Sequence, residues 1–332
     1  MRIDINCLTV RRSDRTLRHR RFLEYLVTFL ALGVLALLAL LYVLGRIGSL
    51  PAPPITATYC IDEKFKFLAE QDDLVESDLI AVGSSVTWRN LDMRPLADRG
   101  VARRPINAAP CYLYMDQTAY LTSFLLDHLD RVEIVVSIVG PRDFANCNEA
   151  DRAFFAPDRA AAYIFDGASP LWLYVTNFRP IPFLRDAWSI AEKRSSPWAR
   201  GPLVMNAYGA GPIEGTSDWA PPPQFDEACF AALRGFEAML DARGVRLVLV
   251  SFPSSPGWRA QYDPGGEVTE QFEARLRGAL SESDSVFVPG KAFSFGPTEY
   301  FDYVHLQWPA ARDLSARLAD ILAARRVATS GG

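Results

Sequence analysis

The chain has 332 residues, 49% of them apolar and 22% charged, with a net charge of −4. That suits one large globular domain or two small ones and excludes extended low complexity. Seven arginines and two aspartates in residues 1–21 give +5, so the remainder carries −9, a poor match for nucleic acid.

The basic stretch 1–21 is followed by Phe22 to Leu44, FLEYLVTFLALGVLALLALLYVL, whose one charge is Glu24. At about 1.5 Å per residue this helix is long enough to cross a bilayer core. A cleaved signal peptide would have a shorter apolar run and a small-residue cleavage site, and a buried core helix would show a polar face. The reading is therefore an uncleaved transmembrane anchor at 22–44. The arginine-rich flank places residues 1–21 in the cytoplasm and the bulk of the chain outside the cytoplasmic membrane. Residues 45–61 are a Pro-rich linker.

From residue 62 the pattern is α/β. A helix is predicted over Asp62–Leu74. Apolar runs predict strands at Asp78–Gly83, Arg104–Ala108, Val132–Val139 (VEIVVSIV), Val245–Phe252 (VRLVLVSF) and Ser285–Val288. Helices are predicted at Asp116–Leu129, Phe225–Arg243, Val268–Leu280 and Trp308–Arg325. Near-continuous apolar strands alternating with helices imply a parallel sheet covered on both faces. Ala145 to Gln224 interrupts the rhythm. It holds Trp172, Trp188, Trp198 and Trp219, and is read as an inserted helical subdomain whose aromatics mostly form its own small core.

The stretch LIAVGSSVTWRN (79–90) ends an apolar strand on Gly-Ser-Ser. A serine at the carboxyl end of such a strand is placed where open parallel sheets bind ligands, although alone it is more often a turn or helix cap. A nucleophilic serine needs a base. His128 sits at a helix end feeding the opposite side of the sheet. His305, in DYVH (302–305), lies just before the last helix, and Asp302 is placed to orient its imidazole. No His/Cys cluster has zinc-site spacing, and no cofactor is implied.

These two blocks resemble those of the SGNH (GDSL-like) hydrolase superfamily, and within it membrane-anchored members that O-acetylate polysaccharides, such as alginate acetylation proteins, and the teichoic-acid D-alanylation protein. GSS (83–85) is similar to the first block, with Ser85 at the nucleophile position; DYVH is similar to the last. The resemblance spans Asp78 to Leu322 without the insertion. NAAPCYLY (107–114) puts Cys111 or Tyr112 where the second block has its oxyanion glycine. GPRD (140–143) keeps Gly140 and Asp143 of the third block and substitutes Arg142 for asparagine. The resemblance implies a three-layer α/β/α sandwich with a flavodoxin-like sheet over residues 62–326, the insertion lying at about 145–224. It also implies acyl (acetyl) transfer to or from an envelope or secreted polysaccharide through Ser85, His305 and Asp302. Cys111 and Arg142 would serve the oxyanion. Trp88, Arg89 and the Trp-bearing insertion could line a sugar cleft, since aromatic faces suit pyranose rings, although such tryptophans are more often core. The implied partners are a glycan acceptor and a multispanning membrane-bound O-acyltransferase that hands over the donor. An anchored carbohydrate esterase and a non-catalytic glycan-binding or assembly subunit are the other readings. Outside the membrane, Cys60, Cys111, Cys147 and Cys229 can form disulfides. Because Cys111 and Cys147 follow neighbouring strands, the expectation is Cys111–Cys147 with Cys60–Cys229, against buried free thiols.

Overall fold

The computed structural model describes residues 6–56, 58–147, 153–195, 204–281 and 284–330. Its first element is one long helix, α1 (Asn6–Arg46), with the apolar run in its C-terminal part. Within it, His19–Arg46 is long and apolar enough to cross a membrane, the one such helix among the described residues. The helix begins well before Phe22 because the preceding arginines and leucines are good helix formers, so the basic stretch continues the same backbone.

The α/β part follows the predicted rhythm with shorter strands. In chain order it comprises α2 (Tyr59–Ala69), β1 (Leu79–Ala81), α3 (Ser85–Asn90), α4 (Arg94–Asp98), β2 (Pro105–Asn107), α5 (Met115–Leu126) and β3 (Ile134–Val139). Then come α6 (Pro157–Ile164), α7 (Leu171–Thr176), α8 (Pro180–Ser195), α9 (Glu227–Asp241), β4 (Arg246–Ser251), α10 (Pro256–Tyr262), α11 (Glu267–Ala279), β5 (Val286–Val288) and α12 (Trp308–Ser330). The five strands pair in the order β2-β1-β3-β4-β5, every pair parallel. The chain therefore leaves β1 in one direction to make β2 and returns to its other side for β3. Beside β1 the loops at the carboxyl ends diverge and leave room for a site.

Strand residues alternate between two cores, as a period of two requires. Ile80, Val135, Leu247 and Leu249 join a cluster with Phe65 and Leu68 of α2, Leu121 and Leu125 of α5, Leu233 and Phe236 of α9, and Leu276 of α11. Leu79, Ala81, Val136, Val248 and Val250 join another with Val86 of α3, Leu96 of α4, and Leu314 and Leu318 of α12. The strands are apolar throughout because both of their faces are buried.

The chain forms two compact units. One is α1 with its extension to Pro51 together with Phe178–Ser195; the other is Ala52–Asn177 with the chain after Ser195. Within the span 145–224, α6 therefore belongs with the sheet: its Ala160 and Ile164 enter the first core. The tryptophans of this span do not form a core of their own. Trp172 and Trp188 are 71% and 74% exposed and Trp219 is 41% exposed, while Trp198 lies outside the described residues. Phenylalanines do the packing instead: Phe155 sits edge-on to Phe65, Tyr120 and Phe124 at centroid distances of 5.0–5.1 Å.

The disulfides also differ from expectation. They join Cys60 to Cys111 and Cys147 to Cys229. Strand β1 lies between β2 and β3, so Cys111 and Cys147 do not follow neighbouring strands. Lys64 of α2 instead reaches Asn107 O at the end of β2, which brings Cys60, in the first turn of the same helix, to the 108–114 loop. Asp226, the N-cap of α9, accepts from the Cys147 amide at 3.2 Å and draws that loop toward Cys229.

Candidate active site

Three residues meet at the carboxyl end of β1. Gly83 (φ 144°) turns the chain out of the strand, a conformation L side chains avoid. A Cβ there would collide with the Thr87 hydroxyl and lie 3.3 Å from Ser137 Oγ. Ser84 then caps α3, its Oγ accepting from Val86 N at 3.2 Å, and Ser85 becomes the first residue of the helix. The Ser85 N–H is among the first amides of α3, which have no acceptor within the helix.

The Ser85 hydroxyl points to His305, with Oγ 2.9 Å from Nε2. On the other side of the ring, Nδ1 is 2.7 Å from Asp302 Oδ2. A carboxylate only accepts, so Nδ1 carries the proton and the Nε2 lone pair faces the serine. Asp302 is held in turn: its Oδ1 accepts from the amides of Val304 and His305, both at 2.9 Å. Asp302 and His305 are 8% and 7% exposed, whereas Ser85 is half-buried. Such a chain can take a proton from a hydroxyl as it attacks a carbonyl and return it to a leaving group.

The surrounding polar residues fix this geometry, and pattern reading did not find them. Thr87 Oγ1 donates to Ile138 O at 2.8 Å and accepts from Ile138 N at 3.0 Å, locking α3 to β3. Asn90 Nδ2 donates to Val86 O and Val304 O, both at 2.8 Å, and its Oδ1 accepts from Leu306 N at 2.8 Å, so it ties α3 to the loop that carries His305. Asn107 Nδ2 donates to Leu91 O at 3.0 Å while its Oδ1 accepts from Ala109 N at 3.2 Å. Their signal in the sequence is slight: polar residues within otherwise apolar stretches, each fully buried.

The other expected site residues have mixed positions. Cys111 is 4% exposed and bound to Cys60, so its side chain is structural. The loop tip is the next residue, Tyr112, 66% exposed with φ 62°. The amides of Ala108 and Ala109 are already engaged with Ala81 O and Asn107 Oδ1. Trp88 is a correction: it is 1% exposed and packed so tightly beneath Gly211 that a Cβ there would lie 2.5 Å from its ring. It is core and does not line a cleft, because the 206–211 segment folds over it, with Gly211 N donating to Trp88 O at 3.0 Å. Arg89 stacks on Trp88 at 4.5 Å and is 6% exposed. Burial lowers its guanidinium to about 10, opposed first by Asp302 and then by Tyr112. Arg142 leans over Trp219 at 5.2 Å, on the side of Tyr303, whose ring is 5.0 Å from that tryptophan. His128 stacks on Phe165 at 4.4 Å and bonds Phe124 O, away from Ser85.

Two buried ionisable groups support the site from below. Asp143 accepts from Gly140 N at 2.8 Å; burial raises it to about 6, partly offset by the Ser84 hydroxyl and the Gly140 amide. Lys64, wholly buried, donates to Asn107 O at 2.8 Å and Gly209 O at 2.6 Å, and burial, then Arg89, lowers its pKa well below the usual lysine value. It staples the 206–211 segment to the end of β2. Among the described residues no group of three or more His, Cys, Asp or Glu side chains could hold a metal ion. A cleft of about 830 Å³ lined by Arg259, Asp263, Thr269, Glu273, Arg277 and Lys291, among others, contains none of the expected site residues.

No protein-family model matches the chain, and no curated protein matches it.

Proposed function

We propose that this protein is a membrane-anchored, extracytoplasmic serine acyltransferase of the SGNH type that moves an acyl group, acetyl in the simplest case, onto a cell-envelope or secreted polysaccharide. The observation that carries the reading is the hydrogen-bonded chain Ser85–His305–Asp302, at 2.9 and 2.7 Å, at the carboxyl end of β1. The strand order and the helices on both faces of the sheet support a flavodoxin-like α/β/α sandwich as its frame.

In the first half-reaction the Ser85 proton passes to His305 Nε2 as Oγ attacks the carbonyl carbon of the donor. The tetrahedral intermediate collapses, the bond to the leaving group breaks, and that group takes the proton from His305. Acyl-Ser85 remains. In the second half-reaction a glycan hydroxyl gives its proton to His305 and attacks the same carbonyl; Ser85 leaves and is reprotonated. The Ser85 N–H, an amide of the loop bearing Cys111 and Tyr112, and Arg142 supply positive potential for the oxyanion. Losing one such donor typically costs 10²–10³ in rate. Among the described tryptophans of the 145–224 span, Trp219 stands next to the triad loop, with its ring 5.0 Å from Tyr303, and its partly exposed ring suits the face of a sugar.

On this topology the donor comes from across the membrane, which calls for a multispanning O-acyltransferase partner. An esterase would use the same residues with water as acceptor, so acceptor dependence separates the two. The test is fluorophosphonate labelling and activated acetyl-ester turnover of the full-length chain in detergent, with and without glycan. Labelling at Ser85 that Ser85→Ala and His305→Ala abolish supports the reading. Absence of labelling, with native glycan acylation unchanged in both variants, would make the chain a non-catalytic subunit.

A further inference from the structure

Helix α8 carries large apolar side chains on its outside. At helical spacing its residues fall into three sectors. Phe183 and Ala187 are buried, each 6% exposed. Next to them Ile181, Leu184 and Trp188, at i, i+3 and i+7, form a stripe that is 80%, 54% and 74% exposed. Beyond the stripe lies the exposed Arg185, and the exposed Glu192 ends the striped face one turn after Trp188.

The place of this helix decides what the stripe meets. Phe178–Ser195 forms one compact unit with α1 and its extension to Pro51. Along α1, residues 22–36 are all exposed, while Leu41 is 3% exposed and Leu37, Leu38, Leu40 and Leu44 are half-buried. Among residues 19–46 of α1 the covered part is thus the C-terminal end, the end that emerges on the far side of the membrane in the proposed topology. Asn177 Nδ2 donates to Pro54 O at 2.8 Å, so the chain enters Phe178 and α8 beside the segment that follows α1, at the depth where that helix would leave the bilayer.

We infer that α8 is an interfacial helix whose Ile181–Leu184–Trp188 stripe is embedded in the outer leaflet, giving the protein a second contact with lipid beside its anchor. The inference rests on reading α1 as membrane-spanning, and is independent of the chemistry at Ser85. The composition favours lipid over another membrane helix. Helix partners in bilayers meet through small residues that allow close approach. Here the stripe is Ile, Leu and Trp, bulky and rimmed by charge, as in helices that lie in the headgroup boundary.

The test places the photoreactive residue benzoylphenylalanine, one position at a time, at Trp188, Ile181, Leu32 of α1 or Val75 of the α/β part, in the full-length chain in phosphatidylethanolamine–phosphatidylglycerol vesicles. Leu32 (60% exposed) reports the anchor itself and Val75 (49% exposed) a water-facing position. We expect phospholipid adducts from positions 188 and 181 as well as 32, and none from 75. Lipid adducts at 32 without any at 188 and 181 would overturn the inference and leave the anchor standing. Adducts of 188 and 181 only to protein, whether a second copy or another chain, would also overturn it. Absence of lipid adducts at 32 would overturn the anchor reading on which the inference depends.

Discussion

Ser85, Asp302 and His305 could be singled out from sequence because their constraints are local. A strand running into Gly-Ser-Ser and a histidine three residues after an aspartate are short patterns, and Asp302 binds the backbone of its own loop. The residues that hold them in register were not legible, because their partners are remote. Asn90 reaches Val304 and Leu306, more than 200 positions away, and Lys64 reaches Asn107 and Gly209. The choice between cleft and core for Trp88 was not legible for the same reason: nothing near it in sequence shows that the 206–211 segment covers it. Asn90 offers the sharper test. In Asn90→Ala, the carbonyl of Val304 and the amide of Leu306 lose buried partners, each worth about 1–3 kcal/mol when left unsatisfied. Denaturant unfolding should show a loss of about 2–4 kcal/mol. Acetyl-ester kcat should fall more than KM rises, since the loop carrying the base is loosened while the rest of the cleft is kept. Unchanged kcat at reduced stability would show that Asn90 has no part in placing His305.

Among the elements, β1 to β5 and helices α2, α5, α9, α11 and α12 were legible from long apolar periodicity. The short α3, α4 and α10 were not, since five to seven residues are too few to show a helical period. The disulfides were unreadable for a different reason: four cysteines allow three pairings, and the choice depends on the strand order, which puts β1 between β2 and β3, and on the bond from Lys64 of α2 to Asn107. Cys60–Cys111 ties α2 to the loop that follows β2. Replacing both cysteines by serine should cost about 2–4 kcal/mol in denaturant unfolding, the usual range for a native disulfide. It should also lower acetyl-ester turnover, because the 108–114 loop loses its tether next to the site. Full turnover in the double-serine variant would show that Asn107 alone holds the loop.

At the scale of the molecule, the split between the apolar N-terminal helix and the α/β part was legible in hydropathy and charge, whereas the grouping of Phe178–Ser195 with α1 was not. The Pro-rich linker is bound at its end to α2, which its composition did not show. Asp62 Oδ1 accepts from Ile55 N at 3.1 Å and Thr56 N at 2.6 Å, and Glu63 accepts from Ala52 N at 3.0 Å. Burial nevertheless dominates and raises Asp62 to about 7. The folded chain therefore keeps a proton there that the unfolded chain releases from about pH 4 upward. This contribution to stability is fully present below about pH 4 and is lost as pH rises to about 7. Asp143, raised to about 6, acts in the same direction. Asp62→Asn keeps an acceptor for both amides and removes the titration. Its melting temperature relative to the wild type should rise by at least ~2–4 °C between pH 5 and pH 8. A difference that stays constant over that range would exclude Asp62 as the titrating group.

The central claim is that Ser85 becomes acylated because His305 takes its proton. The most direct measurement is peptide mapping by mass spectrometry of the full-length chain, quenched in acid during turnover of an activated acetyl ester. One acetyl group should be found on Ser85 in the wild type and none on Ser84. Ser84→Ala should still acetylate at Ser85, whereas His305→Ala should lose the adduct and the turnover together. An acetyl group on Ser84, or equal turnover by the wild type and Ser85→Ala with no adduct at Ser85, would contradict the account.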